Sequence, residues 1–144
     1  MFPTQTNADV ANTNAGVSNE RYDPAWVRTP RGRYFRLVHL DPEAEDLSGA
    51  GGVLVVWHAG LWPAWVYVAA ASDLARALHH LADDDDIMSY EANGGLYVTW
   101  SFLRPEYRDG VVAYLVERLR PKVLPNPAAA NAVPIPVLSP TDPT

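Results

Sequence analysis

Few side chains in this chain of 144 residues stand where they could do chemistry together. His79-His80 precede the run Asp83-Asp84-Asp85-Asp86. Imidazole and carboxylate are ligands for divalent metals. His80 and Asp84, four residues apart, would share a face if one helix ran through both. Four like charges at the negative end of a helix dipole oppose that continuation. The run is therefore expected to be a solvated acidic loop, and no metal or other cofactor is assigned. His58 lies between Trp57 and a turn containing Trp62, with no carboxylate or hydroxyl near it in sequence, so no catalytic role is assigned to it. No phosphate-binding loop, dinucleotide fingerprint or Ser-His-Asp pattern is present.

Arg21, Arg28, Arg31, Arg33 and Arg36 are five of the eleven basic residues, and they interleave with Tyr22, Trp26, Tyr34 and Phe35. Arginine with aromatics can bind nucleic acid by charge and stacking, or anchor a protein interface. A net charge of −6 works against polyanion binding. Protein contact is preferred, with nucleic acid kept as the alternative. Acidic groups at Glu43, Glu45, Asp46 and 83–86 could receive these arginines in a neighbouring copy. The expected contact residues here are Arg21, Trp26, Arg28 and Arg31. Trp62, beside Pro63 on a hairpin tip, is the tryptophan expected to be exposed, while Trp57, Trp65 and Trp100 belong to strands and the core.

The elements that must position these groups occupy the middle of the chain. Hydrophobic residues make up 48% and charged residues 19%, enough for one core. No run of 18 apolar residues is present, so no membrane span is expected. The N-terminus lacks the basic start and apolar stretch of a secretory signal. Without cysteine there is no disulfide framework or thiolate chemistry. Residues 33–40 are rich in strand formers and end at Asp41-Pro42. Val53 to Trp57 forms a buried strand by its length and β-branching. His58 to Pro63 is a hairpin loop, and Trp65 to Ala69 the returning strand. Ser72 or Asp73 caps a helix over 73–82, with Leu74, Ala77, Leu78 and Leu81 on its buried face. Asn93-Gly94-Gly95 turns into the strand Leu96–Trp100. Pro105 opens a second helix, with Val111, Val112, Leu115, Val116 and Leu119 facing inward, and Pro121 stops it. The fold class is α+β: a small antiparallel sheet of three or four strands packed with two helices.

This middle, 33–124, is flanked by two expected arms. Residues 1–32 begin Asn-, Thr- and Ala-rich and without periodicity, so they are expected to be extended. Residues 125–144 carry six prolines, which exclude a helix or a central strand. Within this second arm Val133 to Leu138 is apolar. Ile135 and Val137 are expected to lie on a partner's surface, most simply that of a neighbouring subunit.

Gly52-Val53-Leu54, a short loop, and Val66-Tyr67-Val68-Ala69 followed by a capped helix resemble the GIY-YIG nuclease superfamily over about 52–124. The resemblance implies a hairpin, a helix bearing an arginine, a third strand, and a later helix bearing a metal-binding glutamate. Position by position, the first tyrosine falls on Leu54 and the second on Tyr67. The second glycine falls on Ala69, the arginine on Ala77 beside Arg76, the glutamate on Val112, and a later asparagine on Leu124. Valine cannot ligate a metal and alanine cannot clamp a phosphate. The resemblance thus implies a fold retained with its chemistry lost.

The expected function is a non-catalytic structural or assembly protein, a phage virion component of head, neck or tail. Its partners would be other copies of itself and neighbouring virion proteins, with no membrane. It would be assembled in the host cytoplasm. The alternative is a cytoplasmic, divalent-metal-dependent DNA endonuclease with a displaced site using Tyr67, Arg76 and Glu117.

Overall fold

The computed structural model describes residues 24–125 and 127–140. Among these, four strands form one antiparallel sheet. In chain order they are β1 (Phe35–Arg36), β2 (Gly52–His58), β3 (Ala64–Ala71) and β4 (Leu96–Phe102), and their spatial order is β1-β4-β2-β3. The helices are α1 (Leu74–Ala82), α2 (Asp85–Met88), α3 (Pro105–Leu119) and α4 (Pro127–Ala130).

Strand β2 is buried along its whole length, with β3 on one side and β4 on the other. Its side chains alternate between two cores, as the pleat requires. Leu54 and Val56 join Leu74, Leu78, Leu81, Ile87, Val98 and Trp100 on the α1 face. Val53, Val55 and Trp57 join Val68, Val111, Val112 and Leu115 on the α3 face. A sheet covered on both faces explains why β2 is a continuous apolar run rather than an alternating one. The register of β2 and β3 shifts between Val56 and Trp57, leaving Val66 without an opposite residue. Consequently Val66 and Tyr67 both lie on the α1 face, while Trp65 joins the α3 face, as expected of a bulge.

Three expectations are corrected. The strand expected over 33–40 pairs only at Phe35 and Arg36, and Leu37–His39 is a 3-10 turn. Backbone from further upstream reaches the end of β4 instead: Val27 N–H donates to Trp100 O at 3.0 Å, and Thr99 Oγ1 donates to Val27 O at 2.7 Å. The acidic run is not simply a loop. It ends α1 at Ala82, and the Asp84 carboxylate then caps α2 by accepting from Ile87 N–H at 3.1 Å. Asp85 and Asp86 occupy the first turn of α2, where negative charge meets the positive end of the dipole.

The third correction concerns the second arm. It contains the helical turn α4, then folds back onto α3 of its own chain. Val137 is 2% exposed within the α3-face core, and Ile135 is half-buried against it. Ile135 and Val137 are thus not free for a partner. The cause is local: Gly110, mid-helix in α3, has no side chain and lets this segment approach. A Cβ there would stand 2.8 Å from Val133 O.

Candidate functional site

The most exposed apolar feature lies at the end of the β2–β3 hairpin. Leu61 is 89% exposed and Trp62 82%. Trp57 and Trp100 are buried, and Trp26 and Trp65 half-buried. The tip stands on a fixed base. Ala59 N–H donates to Gly95 O at 3.3 Å. Gly94, at φ +92, brings its backbone so close to Gly60 that a Cβ there would lie 2.6 Å from Gly60 Cα. Both positions need glycine, one for its dihedral and both for contact.

Beneath the tip, His58 is 5% exposed and stacks on Tyr90 with ring centroids 5.9 Å apart and planes 7° apart. Its Nδ1 is buried without a hydrogen-bond partner. Burial first, and the Lys122 ammonium second, hold its pKa below the usual imidazole value. His58 therefore packs as a neutral aromatic ring. Glu91 fastens the adjacent loop: its carboxylate accepts from Leu96 N–H at 2.8 Å and from Arg36 Nη2 at 2.6 Å. On the other face Trp57 is boxed by Tyr34, Trp65 and Tyr97, at centroid distances of 4.7, 5.6 and 6.2 Å.

The other expected contact residues are dispersed. Arg21 lies outside the described residues. Trp26 is half-buried, and its Nε1 donates to Leu138 O at 2.9 Å. Arg28 is exposed but turned onto its own chain. Its guanidinium lies 4.5 Å from the Tyr34 ring centroid, and Nη1 donates to Gly32 O at 3.1 Å. Arg31 is exposed. Of the expected contact set, Trp62 presents the apolar surface.

The alternative nuclease residues are not brought together. Tyr67 packs on the α1 face, its hydroxyl pKa raised by burial and by the nearby Asp84 carboxylate. Asp84 follows the C-terminal end of α1, whereas Arg76 sits in its first turn. From Arg76 to the end of α1 at Ala82 is six residues of helix, about 9 Å, and Asp84 lies beyond that. Glu117 is exposed on α3, which covers the opposite face of the sheet. Leu54 and Val112, at the family's tyrosine and glutamate positions, are fully buried core residues, while Leu124 is exposed. Among the described residues no group of three His, Asp or Glu side chains could hold a metal. His79 instead meets Glu43, with Nε2 3.0 Å from each carboxylate oxygen, on the surface.

The chain matches no protein-family model, no curated protein and no solved structure. The GIY-YIG resemblance therefore rests on the residues quoted for it.

Strand β3 continues to Ala71, two residues beyond the Ala69 at which the sequence pattern predicts its end.

Proposed function

We propose that the chain is a non-catalytic protein-interaction and assembly protein that docks a partner through Leu61 and Trp62. The observation that carries this reading is the exposure of that pair on a hairpin tip whose base is locked by Gly60, Gly94 and Glu91. A large aromatic held out on rigid backbone loses little conformational entropy on binding, and tryptophan is a common interface anchor. The finer reading, a phage virion component, drew on two partner-wrapping arms. The docking of 127–140 on its own domain removes one of those supports, so the coarser assembly role is the better-grounded one.

The test is a photo-crosslinking residue at position 62 of the full chain in its native source. Discrete crosslinked products that disappear on Leu61→Ser support the proposal, and sedimentation with particles at fixed stoichiometry would extend it to a virion. Metal-dependent nicking of plasmid DNA by the purified chain, lost on Glu117→Ala, would replace it with the nuclease reading.

A further inference from the structure

Strand β3 is the sheet's outer strand, and its two halves are treated differently. Trp65 O and Val66 O accept from Lys122 N–H at 3.1 Å and Val123 N–H at 2.9 Å. The chain thus lays its own extended segment along the first half, with the bulge at Val66 presenting consecutive carbonyls outward. Beyond it Val68 is fully buried, and among the described residues no backbone hydrogen bond reaches the outer edge of Ala69 to Ser72. An unpaired edge of this kind is a template for another strand. Four residues offer about 13 Å of it.

Clefts flank this edge above and below the sheet. One, of about 380 Å³, lies between the edge and α1, bounded by Ala71, Asp73, Arg76, Ala77 and His80. The other, of about 280 Å³, lies between the edge and α3, bounded by Ala70, Pro105, Arg108 and Asp109. An added strand sends alternate side chains to opposite faces, so one would enter each cleft.

The charges in the two clefts differ in availability. On the α1 side, the Asp73 carboxylate caps the helix, accepting from Arg76 N–H at 3.1 Å. That bond is the leading cause of its lowered pKa. Arg76 and His80 are exposed and line the cleft, and the Asp73 carboxylate there also feels the Arg76 charge. On the α3 side, Arg108 Nε is committed to Leu103 O at 2.8 Å, and Asp109 lines the same cleft. The acidic run lies beyond the far end of α1, which is about 9 Å of helix from Arg76.

We infer that Ala69–Ser72 is a strand-addition site for an extended peptide segment of another protein, bearing a carboxylate side chain that enters the α1 cleft beside Arg76. Main-chain hydrogen bonds to the open edge supply affinity, and the clefts supply selectivity. The site lies at the opposite end of β3 from the hairpin tip and stands or falls independently of it.

The probe is an array of random heptapeptides screened with the full chain. Bound peptides are expected to share Asp or Glu at one fixed position. N-methylation of one alternate set of a selected peptide's amides should weaken binding at least tenfold, and methylation of the other set should leave it within about twofold, since a strand pairs through alternate amides only. Arg76→Glu and Arg76→Gln are surface changes and should weaken it tenfold or more. The inference is overturned if no peptide is enriched, if methylation of either set is tolerated, or if both Arg76 variants bind normally. It is equally overturned if the free chain self-associates and its 69–72 amides are already protected in the dimer, which would assign the edge to a second copy.

Discussion

The backbone N–H of Ile135 donates to the carbonyl oxygen of Gly110 at 2.9 Å, so the proline-rich segment is hydrogen-bonded to the middle of a helix. Glycine in a helix interior is worse than alanine by about 1 kcal/mol. Here that cost is offset by Val137 burying its side chain over Val111, Val112 and Leu115. Gly110→Ala should therefore destabilise the chain by about 1–2 kcal/mol in urea melts, despite its better helix propensity, because the new Cβ meets Ile135 and Val133 O. Limited proteolysis should show earlier cutting around 131–134. A Gly110→Ala chain more stable than the parent would mean that the segment is not seated in this way.

Trp62 stabilises nothing within the described chain. At 82% exposure it is expected to tolerate Trp62→Ala with a stability change within about 0.5 kcal/mol. Binding to the partner trapped by crosslinking should fall by about 30-fold or more, the equivalent of losing an anchor worth about 2 kcal/mol. Thermal unfolding and titration of the same two proteins separate these effects. A large drop in stability would recast the tip as a structural element.

The hairpin β2–β3, the helix α1, the strand β4 and the Pro105 helix were legible because each satisfies one period and has its own punctuation. Asp73 caps α1 and Pro105 starts α3. What was not legible depends on neighbours distant in sequence. Residues 33–40 have the composition of a strand, yet Val27 occupies the place beside Trp100 that such a strand would need. The acidic run ends α1, as its charge predicts, but Asp84 also begins the next helix, whose packing depends on distant neighbours of Ile87. For the proline-rich segment the available signal was Gly110, a glycine inside an amphipathic helix, which commonly marks a close approach. The exposure of Trp62 followed from Pro63 and the turn. The open edge at 69–72 did not, because which strand is outermost depends on the sheet order.

Glu91 holds two donors from different elements with one carboxylate, Leu96 N–H and Arg36 Nη2. Glu91→Ala leaves both unsatisfied, along with the buried Arg36 Nε that already has no partner. The expected loss is about 2 kcal/mol, moderated because both side chains are partly exposed. Glu91→Gln keeps one acceptor but turns an amide N–H₂ toward one of the donors, so it should retain about half of the stabilisation. Chemical denaturation of the three proteins gives this order. Equal stability of Glu91→Ala and the parent would show the clamp to be inconsequential.

His58 sets the last expectation through its protonation. Its folded pKa lies below the ordinary imidazole value of 6.5 because burial and Lys122 disfavour the cation. Above pH 6.5 the imidazole is neutral in both folded and unfolded chains and contributes no pH dependence. As pH falls below 6.5 the unfolded chain takes up the proton first, so stability declines until the folded pKa is also passed. His58→Phe keeps a ring against Tyr90, removes the unpartnered Nδ1 and cannot titrate. The difference in unfolding free energy between this variant and the parent should be smallest near pH 7.5 and widen in favour of phenylalanine towards pH 5.5. The comparison cancels the other histidines, His39, His79 and His80, which both proteins retain. A difference that stays constant across that range would mean His58 accepts a proton as readily when folded as when unfolded.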